Sequence, residues 1–345
     1  MDGPARHDRA DRARRAADGA EPRVIVVGSV NVDLIAVVDR LPAPGETVTG
    51  AAFAQHHGGK GGNQAVAAAR LGARVAFVGA VGGDAFGSAA RAALLAEGID
   101  CAELSTLPDL ATGVALILVD AGGENVIAVA SGANAAVTPT SVTAALARLR
   151  PGPTDVVLVG TEIPLDAAGA ALAAGRAAGA TTLLNPAPAT GIDAGLLAAA
   201  DVVTPNRTEV RQLADATAAR PGHARASDET EAWARALLEV GAEGPIVGRA
   251  VVVTLGAAGA LVLQRASGSV VATDVAAHRV DAVDTTGAGD TFSGALAVAL
   301  AGGRDLVDGV RWACAAAALA TTRVGAREGM PRHAELDAFL AERGA

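Results

Sequence analysis

From Arg23 onward, short β-branched runs alternate with Ala- and Leu-rich stretches of helical period. The runs 23–28, 74–79, 155–160, 180–184, 201–204 and 250–255 are almost continuously apolar, as expected of parallel strands covered on both faces. Helices are predicted at 63–71, 85–96, 166–178, 207–213, 229–240, 289–300 and 305–321, with Asp84 as N-cap of the second and Gly98 as its stop. Such alternation predicts an α/β fold, a doubly wound and mostly parallel central sheet with helices on both faces and right-handed crossovers. Two stretches break the rhythm. Residues 34–57 and 113–130 each hold paired β-like runs, around turns at Pro44-Gly45 and Gly122-Gly123, and read as antiparallel hairpins outside the parallel sheet. Together they predict a small β-sheet lid inserted in one α/β domain spanning 23–345, a device that would keep water from a reacting centre.

A chain of 345 residues that is 51% hydrophobic can bury one large core, or one core with a small appendage. Its net charge of -9 would repel a phosphate backbone, and aromatics at 2% leave few platforms for stacked bases, so no nucleic-acid partner is expected. Residues 1–22 carry five arginines and five acids without an apolar segment, which reads as a disordered tail rather than a secretory signal or a transit peptide. No uninterrupted apolar stretch elsewhere reaches membrane-spanning length, and Cys101 and Cys314 lack metal-ligand spacing. A soluble, cytoplasmic protein with two reduced thiols is the expectation. Residues 215–228 read as a surface-loop insertion. Arginine has displaced lysine throughout, save at Lys60, which makes that position worth attention.

The strongest chemical signal is Asp284-Thr-Thr-Gly-Ala-Gly-Asp290, running directly into an apolar helix. Small residues leave the N–H groups of Gly287, Ala288 and Gly289 free to face an anion, with the positive end of the helix behind them. Such a nest stabilises charge on a transferring phosphoryl group, and Asp290 stands where a base could take a proton from an attacking hydroxyl. A glycine-rich turn capped by an aspartate is the plainer alternative. Gly58-Gly-Lys-Gly-Gly-Asn63-Gln64 lacks the GxxxxGK[ST] spacing of a Walker loop, but its glycines suit close approach to a ligand. Asn63 offers donor and acceptor to a polyhydroxylated molecule such as a sugar; a flexible loop entering a helix is the alternative. In Gly28-Ser-Val-Asn31-Val-Asp33, two polar residues interrupt one apolar strand two positions apart, so both face one way and could clamp vicinal hydroxyls, unless they only form an Asx turn. Asn206 and Glu209 open a helix after a buried strand, either near a triphosphate and magnesium or as a capping box. Thr254-Leu-Gly256-Ala-Ala-Gly259 sits between two strands, which excludes a dinucleotide fingerprint and leaves a nucleotide-contacting turn.

Taken together and in order over about residues 23–343, these segments resemble the PfkB-type carbohydrate kinases, including both signatures of that family, around Gly58–Asn63 and at 284–290. The resemblance implies transfer of the γ-phosphate of ATP to O5 of D-ribose, with Asp290 as base and the amides around Gly287–Gly289 as anion hole. It implies a sugar pocket of Asn31, Asp33, Gly59, Lys60, Asn63, Asp290 and Glu162, the last from Gly160-Thr-Glu-Ile-Pro. It assigns the nucleotide to Asn206, Thr254, Gly256, Gly259, Gly289 and Cys314, and magnesium, through water, to Glu209. An activating potassium ion would lie on Asp284, Thr286, Ala320, Arg323, Gly325 and Gly329, several through backbone carbonyls. Two positions depart from the family pattern. Gly329 stands where a serine often helps bind the cation, and Cys314 where a His or Asn commonly meets the adenine side. Within the family, 2-deoxyribose, fructose or a nucleoside such as adenosine are the competing acceptors, and a catalytically silent binder on the same fold is the alternative of another class. The lid would expose an edge and a face that a second copy can cover, which predicts a homodimer.

Overall fold

The computed structural model describes residues 22–219, 229–241, 244–266 and 268–344. The expected N-terminal tail, but for Pro22, and residues 220–228 of the expected loop insertion lie outside the described residues. In chain order the strands are β1 (Arg23–Val27), β2 (Asn31–Val37), β3 (Ala52–Gly58), β4 (Arg74–Gly82), β5 (Leu104–Leu107), β6 (Gly113–Val119), β7 (Asn125–Ala130), β8 (Val156–Gly160), β9 (Thr181–Asn185), β10 (Val202–Val203), β11 (Val240–Gly241), β12 (Gly244–Pro245), β13 (Ala250–Thr254), β14 (Ala260–Ala266) and β15 (Ser269–Val275). The helices are α1 (Lys60–Arg70), α2 (Ala85–Ala96), α3 (Pro139–Leu149), α4 (Leu165–Ala177), α5 (Ala194–Ala198), α6 (Arg207–Ala216), α7 (Glu229–Leu238), α8 (Ala288–Ala301), α9 (Leu306–Ala320), α10 (Ala326–Gly329) and α11 (His333–Ala341).

The predicted doubly wound sheet is present. Nine strands lie in the order β15-β14-β13-β10-β9-β8-β1-β4-β5, parallel from β13 to β5, with β14 and β15 added antiparallel at one edge. Alternate side chains of each strand feed opposite layers. Val24, Val26, Val156 and Leu158 join the cluster beneath α1, α8 and α9, whereas Ile25, Val27, Val157 and Val159 join the one covered by α4, α6 and α7. That two-sided burial is why these runs read as apolar throughout. The sequence reading passed over α3, although Thr138 and Ser141 form a capping box with Pro139 at the first helical position.

The two predicted hairpins form and join into one sheet, β3-β2-β6-β7, with β2 and β6 parallel at its centre. The structure departs from expectation at Asn31 and Asp33. Asn31 and Asp33 do not interrupt the first core strand: β1 ends at Val27 and Asn31 begins β2, so the pair belongs to the lid. Asn134 stabilises this break, accepting from Val30 N (2.9 Å) and donating to Val30 O (3.0 Å) and Asn31 Oδ1 (2.8 Å). Of the segments singled out for chemistry, 28–33, 160–164, 204–209 and 254–259 follow the carboxyl ends of β1, β8, β10 and β13, the edge where open α/β sheets hold ligands, whereas 58–64 and 284–290 lead into α1 and α8.

Asp84 caps α2 as expected, accepting from Gly87 N (2.8 Å), and its carboxylate also accepts from Thr112 N (2.8 Å) and Thr112 Oγ1 (2.6 Å). One side chain thereby anchors both a core helix and the chain entering β6. Asp84→Ala is expected to lower unfolding free energy by ~1–3 kcal/mol in urea titrations, and a loss below ~0.5 kcal/mol would show that the anchor does not matter.

Candidate active site

The loop before α1 folds against the turn after β1 at close range. Gly59 has φ 82°, and a Cβ there would lie 2.6 Å from Asn31 N, so only glycine lets the two backbones meet. This approach carries Lys60 to Glu162, which follows β8. Lys60 Nζ donates to Glu162 Oε1 (2.8 Å), Lys60 N to Oε2 (3.0 Å), and Ser29 Oγ to Oε2 (2.5 Å). Burial works against ionising Glu162, but the Lys60 charge and these donors outweigh it and hold the carboxyl below its usual range.

Asp290 sits in the first turn of α8 and is buried. Asn63 Nδ2 donates to its Oδ2 (3.0 Å) and Gln64 Nε2 to its Oδ1 (3.2 Å); the same Gln64 nitrogen reaches Asn185 Oδ1 (2.9 Å). Loss of water around the carboxylate pushes its pKa up to about 6, with Asn63, Lys60 and Gln64 opposing the rise. In the turn before α8, the Ala288 amide donates to Thr285 O (3.2 Å), so it is engaged within the protein. The amides of Gly287 and Gly289 meet no protein acceptor among the described residues, and a side chain at Gly289 would find nothing within 4 Å. Two of the three N–H groups expected to face an anion are thus free, and the turn opens onto free space at Gly289.

Asp33 is part-buried, its carboxylate lying against the backbone of Gly58. Burial raises its pKa, opposed first by Arg327 and also by Lys60 and His56. Between lid and core lies a cavity of about 440 Å³ lined by Asn31, Ser131, Asn134, Thr161, Glu162 and Pro188, of a size that suits a small ligand. Asp290 and Asn63 do not line it.

Asn206 and Glu209 form the capping box, with Glu209 N donating to Asn206 Oδ1 (2.9 Å) and Asn206 N to Glu209 Oε2 (2.8 Å). The box does not turn Glu209 away, since its carboxylate and the Lys60 ammonium lie close enough to stabilise each other's charge. Asn206 bridges to Thr254, whose N–H donates to Pro205 O (2.9 Å), which brings the Gly256–Gly259 turn alongside α6. That turn lies between antiparallel β13 and β14, as expected. Cys314 is buried in the core on α9, and burial pushes its thiol up to about 12, so it packs as an apolar group.

Asp284 accepts from Thr286 N (2.9 Å) and Thr286 Oγ1 (2.6 Å) with one oxygen, and from Gly325 N (2.8 Å) with the other. A Cβ at Gly329 would lie 2.6 Å from Ala320 O and 3.4 Å from Arg323 O, so its backbone packs directly against both carbonyls. The Arg323 guanidinium pairs with Glu335 (2.6 Å), leaving only the backbone of Arg323 to face this cluster. Sequence reasoning missed Ser29, Gln64, Asn134 and Arg327, while Asn185 opens the Asn185-Pro-Ala-Pro-Ala stretch that spoke for ribose over its competitors. Ser29 and Gln64 lay inside the motifs already named, but their partners are distant in sequence.

Residues 21–333 match the pfkB family carbohydrate kinases. The chain is 36% identical over 317 residues to the ribokinase of Haemophilus influenzae, covering 91% of this chain and 97% of that protein. Among solved structures it resembles the ribokinase of Thermotoga maritima (TM-score 0.80, 31% identity, 93% of this chain and 99% of that one). It also resembles the Arabidopsis thaliana ribokinase complexed with ribose and ATP (TM-score 0.76, 28% identity, 93% and 99%). A match over so much of the chain, on a site with a buried carboxylate beside two open amides, defines the class: the chain belongs to the pfkB family of carbohydrate kinases. Within that family, the relatives named here are ribokinases.

The raised pKa of Asp290 has a consequence for stability. A carboxyl titrating near 6 when folded and near 3.8 when unfolded contributes stability below pH 4 that is lost as pH rises through 6. Relative to Asp290→Asn, the wild type is expected to lose on the order of 2–3 kcal/mol between pH 4 and 7 in unfolding titrations. A difference that stays flat with pH would show that Asp290 is not held in a desolvated site.

Proposed function

We propose that this chain transfers the γ-phosphate of ATP to O5 of D-ribose, giving D-ribose 5-phosphate. The observation that carries the reading is the buried Asp290 carboxylate at the start of α8, immediately behind the open amides of Gly287 and Gly289. A base with a pKa of about 6 is ionised at neutral pH yet basic enough to accept a hydroxyl proton as the phosphoryl group arrives. The two amides and the positive end of α8 then meet the charge on the transferring oxygens, while the Ala288 amide braces the turn. Asn31 and Asp33 from the lid, with Gly59, Lys60, Asn63 and Glu162 from the core, take the ribose hydroxyls. Asn206, Thr254, Gly256, Gly259 and Gly289 take the nucleotide. Apart from the family pattern, nothing about buried Cys314 supports a place among them.

Among the described residues no three His, Cys, Asp or Glu side chains converge on a metal position. That fits magnesium arriving with the triphosphate and met through water by Glu209 alone, since this ion is commonly held by one or two carboxylates plus substrate phosphates. When bound, it neutralises phosphate charge. The carbonyls of Ala320 and Arg323, the Thr286 hydroxyl and the backbone at Gly325 and Gly329 make an oxygen-rich, weakly charged set that suits potassium. Asp284 serves there by holding Thr286 and Gly325 in place.

By strand register Phe53, Leu116 and Val126 share one face of the lid, each more than half exposed, and every residue of β7 is exposed. A contiguous apolar sheet face of this kind supports a homodimer through the lid. No helix among the described residues is long and apolar enough to cross a membrane, and a cytoplasmic location is part of the same reading.

Coupled ADP release with magnesium-ATP should be highest with D-ribose, lower with 2-deoxyribose, fructose and adenosine, and higher with potassium than without. Its kcat/KM should rise with pH through about 6 and level off above 7, as Asp290 ionises. Preference for another acceptor would overturn the ribose assignment, and absence of turnover with all four in folded protein would favour a silent binder. Gel filtration should give the mass of two chains; a single-chain mass would remove the dimer.

A further inference from the structure

We propose that Arg327 is a positioning residue for phosphoryl transfer, holding the Asn63 amide so that it presents its N–H donor to Asp290. The inference rests on the reading of Asp290 as base and adds a group that the sequence motifs leave out. Arg327 lies in α10 and is only 7% exposed. Its Nε donates to Asn63 Oδ1 (2.9 Å) and its Nη2 to Gly58 O (3.0 Å), so one planar fork spans the start and the end of the glycine-rich loop. Asn63 Nδ2 in turn donates to Asp290 Oδ2 (3.0 Å).

The geometry matters because an asparagine amide has two nearly isosteric ends. Turned over, Asn63 would point a carbonyl oxygen at the Asp290 carboxylate and replace attraction with repulsion. A guanidinium has donors only, so Arg327 accepts one of the two orientations. Its own position is fixed from behind: Arg70 Nη1 donates to the carbonyls of Arg327 and Met330, while Arg70 Nη2 pairs with Glu97 (2.5 Å). The charges facing Asp290 are Lys60 and Glu162 across the pocket and Arg327 from α10. Burial lowers the Arg327 pKa to about 10, which still leaves it cationic at neutral pH, with Asp33 its strongest electrostatic partner.

The test compares Arg327→Met and Arg327→Lys with the wild type in two measurements. One is the pH dependence of unfolding free energy, referenced to Asp290→Asn in the same background, which reads the Asp290 midpoint without turnover. The other is kcat and KM for ribose and ATP across pH. Arg327→Met should move the Asp290 midpoint and the acid limb of kcat/KM upward by roughly one pH unit, lower kcat about 10- to 100-fold and change KM for ATP less than about twofold. Arg327→Lys keeps the charge without the fork, so the midpoint should stay raised by at least about half a pH unit and kcat reduced by at least about threefold, whereas a midpoint back at the wild-type value would assign the shift to charge alone and overturn the positioning role. An unmoved midpoint in Arg327→Met overturns the proposal even if kcat falls, since loss of packing alone would not shift it. If Arg327→Met does not fold, wild-type kcat in Arg327→Lys overturns it. A midpoint that shifts in Arg327→Met while the wild type fails to phosphorylate ribose would leave the positioning intact and overturn the proposed reaction instead.

Discussion

Everything at this site depends on keeping one carboxylate ionisable after most of its water has been removed. Asp290 loses solvation by standing in the first turn of a helix that is buried along its length. The loss is only partly compensated, by two amide donors and by nearby positive charge, so its pKa rises but stops near neutrality. For the base proposed here, complete compensation would leave too little basicity, and none would leave a neutral acid. The glycines around it follow from this requirement. Loops must approach within backbone contact of one another to bring Asn63 and Gln64 to Asp290, and side chains at the crossing points would hold them apart.

The charges are arranged to match. Glu162, Lys60, Asp290, Arg327 and Asp33 alternate in sign through the pocket, so each carboxylate has a cation among its strongest electrostatic neighbours. In a region this poorly solvated, an unpaired member would be costly, and the series is better understood as one unit than as separate pairs. Lys60 interacts with both Glu162 and Glu209, which the proposed function places on the sugar side and the nucleotide side. That dual position gives a physical reason for the one lysine of an otherwise arginine-based chain to stand here.

Much of the fold was legible because parallel strands buried on both faces leave continuous apolar runs, and the Asp84 cap and the two lid hairpins carried their own local signals. The boundary at Val27 was not legible. Nothing local separates an interrupted strand from two strands, and the break is held by Asn134, more than a hundred residues away. Asp290, Lys60 and Asn63 stood out within their motifs and Glu162 through the family resemblance, and the structure pairs Lys60 with Glu162 and Asn63 with Asp290. Arg327 did not, since it lies among residues read only as cation ligands and its role depends on an amide 264 residues distant. Cys314 shows the converse, a position matched by order along the chain whose side chain the packing turns into the core.

The most direct test of the central claim is to measure turnover and ribose binding side by side in Asp290→Asn. The account predicts that kcat falls by about 100-fold or more while ribose binding, read by calorimetry, stays within about tenfold of the wild type. Near-normal turnover would contradict the assignment of Asp290 as the base.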